Sequence, residues 1–148
     1  QMLKVFGLIL LNAFSNTSFL YFITLFAKTR SAFSGIANFV NILTGFVTGM
    51  YIPFGYMPRT VKNVIVFLPM TQGSAWMRKV FTTETLYDTF AGLPKEVLTE
   101  YGRIAGITLN IGNTTVTPWM QFALMFGSGI LFIVLSSIIM KKRNIGNG

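Results

Sequence analysis

Cysteine and histidine are both missing from the 148 residues. Without cysteine there is no disulfide scaffold and no thiolate metal site. Without histidine the usual general base, the commonest metal ligand and the Ser-His or Cys-His nucleophile are gone as well. Charge is scarce: 11% of the residues carry it, against about 25% in an ordinary soluble domain. So few charges cannot cover a water-facing surface, and a mean hydropathy of +0.60 excludes a disordered chain. With 52% hydrophobic and 15% aromatic residues, an integral membrane protein remains. Gln1 in place of a start methionine reads as a fragment or a processed chain.

The net charge is +8, from 12 Lys+Arg against 4 Asp+Glu. The basic residues punctuate apolar runs and form no stripe, so membrane topology explains them better than phosphate contacts, and no nucleic-acid partner is expected. Three uncharged stretches are long enough for a helix of roughly 20 residues to cross a bilayer. They are expected at about 5–27, 31–57 and 118–140 in a single segment of the all-α membrane class. Pro118 suits the first turn of the third. A signal peptide fits the N-terminus poorly, because the apolar character runs on through Phe22 and Ile23 to Ala27. Lys28 and Arg30 fill the short connection between the first two spans, and Lys141-Lys142-Arg143 follows the third. Both points share one side if there are three spans, and positive-inside bias makes that side, with the C-terminus, cytoplasmic.

Asn63 to Met77 is uncharged but too short to cross, and Pro69 breaks it. A re-entrant or interfacial helical hairpin is expected over about 61–81, followed by an extracellular segment over about 82–117. Leu86, Phe90, Leu93, Val97 and Tyr101 recur at helical spacing and predict a small helical cap. Leu109 to Thr117 reads as a loop or short strand, carrying the sequon Asn113-Thr114-Thr115. All four acids, Glu84, Asp88, Glu96 and Glu100, fall in the outer segment. Their i, i+4 spacing is what a solvated helix produces, and with no nucleophile motif no catalytic site is expected. No phosphate-binding Gly-Lys-Ser/Thr loop is present.

The second span carries the most information. Ser31, Gly35, Asn38, Asn41, Gly45, Thr48 and Gly49 fall three or four apart, making one small, polar stripe opposite Phe39, Ile42, Leu43, Phe46 and Met50. Lipid would not tolerate two unpaired asparagines, so the stripe faces either another helix or a water-filled path. Helix packing and a substrate path or dimer seam both remain open at this point. No span holds a charged residue, so a proton relay has no support.

The order of features resembles the C-terminal half of a type-2 ABC transporter permease, the membrane subunit of bacterial ATP-driven exporters. The resemblance rests on Gly49, Pro53, Pro58, Leu68-Pro69 and Arg78, set in a polar-striped span, a re-entrant pair, an outer segment and a last span with a basic tail. It implies a multi-pass protein of the bacterial plasma membrane that pairs with a second permease copy, as homo- or heterodimer, and with an ABC ATP-binding subunit. This chain would bind no cofactor, ATP and magnesium being held by that partner. Asn38, Asn41, Gly45 and Thr48 would lie on the substrate path or dimer seam. Pro53, Pro58, Pro69 and Arg78 would form the outer gate, and Lys28, Thr29 and Arg30 would face the ATPase. The alternative is a small three-span scaffold or immunity-type membrane protein with no transport role.

Overall fold

The computed structural model describes residues 2–112 and 114–146, with side chains as far as 142. Gln1, the sequon asparagine Asn113 and the Arg143 side chain lie outside the described residues. Within them, six α-helices are joined by short connections. They are α1 (Met2–Thr24), α2 (Arg30–Val47), α3 (Arg59–Ile65), α4 (Pro69–Thr89), α5 (Lys95–Ile104) and α6 (Pro118–Gly146). A 3-10 turn at Phe54–Tyr56 and a minimal antiparallel hairpin, β1 (Asn110–Ile111) with β2 (Thr114–Thr115), complete the order.

Among the described residues, α1 and α6 are the two helices long and apolar enough to cross a membrane. They pack along their length, and their partners climb in the same order. Ser15 Oγ donates to the Met125 carbonyl at 2.7 Å, and the Phe14 ring lies 6.1 Å from that of Phe126. Phe19 meets Phe132 edge-on at 5.2 Å, and the Tyr21 hydroxyl reaches the Met140 sulfur at 2.8 Å. Rising numbers on both sides mean parallel helices. Close approach depends on small residues: a Cβ on Gly129 would come within 2.5 Å of the Phe14 ring. Away from this seam, Phe6, Leu10, Leu131 and Ile138 stand more than half exposed. Both helices thus carry an apolar exterior that no core covers.

Helix α4 packs against both α1 and α6. A Cβ on Gly73 would overlap the Asn12 side chain, so α4 meets α1 near its midpoint. The core gathers around the α3–α4 break, where Val66, Met70 and Ala75 join Phe19, Val47, Phe54, Leu109 and Val116.

Three expected boundaries change. Residues 31–57 are not one helical span, because α2 stops at Val47. Gly49 takes φ +79, and the amides of Met50 and Tyr51 both return to the Gly45 carbonyl, closing the helix with a glycine cap. Pro53 and Pro58 then hold the chain off helical geometry around the 3-10 turn. The 18 residues of α2 extend about 27 Å. The break expected at Pro69 falls between α3 and α4, with Pro69 opening α4. However, the arms run 59–65 and 69–89, past the expected 61–81. Consequently residues 82–89 belong to α4, and the expected single cap helix is divided. Gly92 at φ +88 and Pro94 separate Leu86 and Phe90 from α5, though the Phe90 and Tyr101 rings still meet at 5.3 Å.

Candidate functional site

The polar stripe of α2 divides into two halves. Asn38 and Asn41 are exposed, whereas Gly45 and Thr48 are buried. The buried half is locked locally. The Tyr51 ring folds over Gly45, leaving no space for a Cβ, and Thr48 Oγ1 donates to the Thr44 carbonyl at 2.7 Å. Thr44 makes the same internal bond to Val40 and reaches the Met70 sulfur on α4 at 3.5 Å. The exposed half has no such neighbours. Phe39, Ile42 and Phe46 are exposed beside the two amides. Helix α2 therefore anchors through its C-terminal turns and presents its N-terminal two-thirds outward.

Arg78 organises the anchored end. Its Nη2 donates to the Thr48 carbonyl at 2.7 Å and its Nη1 to the Ala105 carbonyl at 3.0 Å. These are the C-cap residues of α2 and α5. The last carbonyls of a helix lack intrahelical donors and sit at the negative end of its dipole, so one planar guanidinium answers two helix ends. The guanidinium stays a cation whatever its surroundings. Gly49 and Gly106 form the cradle. Both have positive φ, and a Cβ on Gly106 would sit 3.1 Å from Arg78 Nη1 and 3.0 Å from Phe54 Cβ. Arg78 and Gly49 stand out in the sequence, and Gly106 does not. Its signal was a glycine just beyond an amphipathic helix with Arg103 in the last turn.

The α3–α4 break is sealed by polar contacts. Gln72, fully buried, donates Nε2 to the Val66 carbonyl, and Thr71 Oγ1 donates to the Val47 carbonyl at 3.2 Å. The Val66 carbonyl freed by the break and the Val47 carbonyl at the end of α2 are thus satisfied inside the protein. The four residues expected at an outer gate sit in different surroundings. Pro69 is buried at the break and Arg78 is half-buried at the helix ends, while Pro53 and Pro58 lie exposed on the connection. Thr48 and Arg78 come together, a stripe residue with a gate residue.

Lys28, Thr29 and Arg30 are exposed, and the Thr29 hydroxyl caps α2 by accepting from the Ala32 amide at 3.1 Å. Because α1 and α6 are parallel, this turn and Lys141-Lys142 lie at the same end of the molecule. Among the described residues no three or more of His, Cys, Asp and Glu gather into a metal-sized group. Glu100 accepts instead from Arg103 at 2.8 Å on the surface, and that bond lowers its pKa. Compared with known protein families, curated proteins and solved structures, the chain matches none of them.

Proposed function

We propose that this chain is the C-terminal half of the permease subunit of a type-2 ABC exporter. It works against a second permease copy and draws its energy from a separate ABC ATP-binding subunit that holds ATP and magnesium. One observation carries the reading: the outward face of α2 presents Asn38 and Asn41 among exposed Phe39, Ile42 and Phe46. Amides on a membrane helix need a polar partner, and none is supplied by the described residues of this chain. A second permease copy, or the aqueous path between two copies, supplies it.

The parallel course of α1 and α6 supports the orientation. It gathers Lys28, Arg30, Lys141 and Lys142 at one end, the cytoplasmic end by the positive-inside rule, where the ATPase docks. Contacts of α4 support the re-entrant reading. Met70 meets Thr44 and Gly73 meets Asn12, halfway along α1, so the Pro69 break reaches about the middle of the bilayer from outside. Closure of the ATP-binding subunits moves the basic cytoplasmic end. Helix α2 carries that motion to its Thr48 end, where Arg78 couples it to α4 and α5.

Two experiments test this. The full-length protein, purified in mild detergent from its native host, should bring an ATP-binding subunit in equal amount, and the complex should hydrolyse ATP. Asn41→Leu should lower export without lowering membrane insertion. A lone chain without ATPase in several detergents, or normal export by the variant, would favour the scaffold reading.

A further inference from the structure

A cavity of about 540 Å³ opens at the end of the molecule that carries α5 and the β1–β2 hairpin. Its walls come from Phe54, from Arg59, Lys62 and Asn63 of α3, and from Arg103, Thr108, Asn110 and Gly112. Three cations line it, and no acid does. Glu100 answers Arg103 from outside the wall, and Lys62 Nζ donates to the Gly55 carbonyl at 3.2 Å. Arg59 has no ion-pair or hydrogen-bond partner among the described residues.

We propose that this cavity binds a phosphate-bearing anion. Glu100 offsets Arg103 alone, so the wall keeps an excess of positive charge that raises the free energy of the empty site, and an anion relieves it. Two guanidinium forks and an ammonium, with side-chain amides and a hydroxyl beside them, match the acceptor geometry of a tetrahedral oxyanion. A single phosphate would leave much of the volume empty, so the space favours a phosphoester with a polar substituent. Its rim stands near the outer headgroup layer. Helix α3 rises about 10 Å from the buried break to Arg59, most of the way from the bilayer middle to its surface. A lipid headgroup and a soluble phosphoester share this chemistry. The site stands on the cavity and its charges, and does not require the exporter reading.

The test uses the full-length protein in two arms. In zwitterionic nanodiscs, calorimetry measures binding of inorganic phosphate and glycerol 3-phosphate. After gentle extraction from native membranes, native mass spectrometry counts retained phosphatidylglycerol. The variants are Arg59→Gln with Lys62→Gln, and Lys79→Gln, an exposed cation outside the cavity. Soluble anion binding weakened about tenfold or more by the pair and unchanged in Lys79→Gln supports the site with a free phosphoester as ligand. One retained phosphatidylglycerol per chain, lost in the pair alone, supports it with a lipid headgroup. If the pair fails to fold, Asn63→Ala, at an exposed side chain, takes its place with a weaker loss of about threefold. Absence of binding in both arms, or equal weakening by Lys79→Gln, would overturn the proposal.

Discussion

Two polar stretches, one buried and one exposed, are used in opposite ways. At the start of α4, Thr71 and Gln72 are buried and spend their donors on the backbone carbonyls of Val47 and Val66. Along α2, Asn38 and Asn41 look outward and meet nothing of the kind. The first set holds the break between α3 and α4 in place, and its worth is stability. The second contributes little to the isolated fold, and its worth depends on what stands opposite. Residue type does not separate the two. Satisfaction of the donors does.

The contrast can be broken at its strongest point first. Arg78→Met removes the donor shared by the Thr48 and Ala105 carbonyls and should cost about 3 kcal/mol in denaturant unfolding in detergent. Arg78→Lys should recover part of that, since an ammonium cannot span both carbonyls as a planar fork does. A neutral result would mean that Arg78 does not tie the helix ends. Next, Gly55→Ala should cost about 2 kcal/mol, because its Cβ would sit 2.7 Å from the Ile104 Cα, a backbone atom that cannot step aside. Asn41→Leu should change unfolding of the chain by no more than about 0.5 kcal/mol while export falls. A large loss of stability there would move Asn41 to the packing side of the comparison. The smallest effect belongs to Glu100. Its pKa is lowered by the Arg103 hydrogen bond, so the contribution is present above the unfolded carboxylate range and is lost as pH falls through the folded value. A melting series from neutral to acid pH should show a slight acid loss, absent in Glu100→Gln.

Much of this architecture was legible from apolar runs. Uncharged, mainly apolar stretches over 5–27 and 118–140 marked α1 and α6, and Pro69 marked the break because proline cannot continue a helix from within. The second span was misjudged for a physical reason. An uncharged stretch is not thereby helical, and Gly49, Pro53 and Pro58 ended α2 ten residues before the apolar run ended. The same reason divided the outer segment at Gly92 and Pro94, where side-chain periodicity carried on across a backbone turn. The stripe was visible in full, but its division between Asn41 and Gly45 was not. That division depends on Tyr51 and Met70, which approach α2 only after the chain turns back. The cation cavity was equally hidden, since Arg59, Lys62 and Arg103 lie far apart in sequence and meet only in the fold.

The central claim is that the Asn38–Asn41 face of α2 works against a second permease copy. The chain has no cysteine of its own, so Asn41→Cys gives a single reporter within it. The decisive measurement is bis-maleimide cross-linking of this variant in native membranes, with and without ATP hydrolysis. The account predicts a cross-linked permease pair whose yield changes with the nucleotide state. A reporter that never cross-links, whatever the nucleotide, and that resists aqueous maleimide as much as a Leu131→Cys control on the exposed apolar face of α6 does, would contradict it.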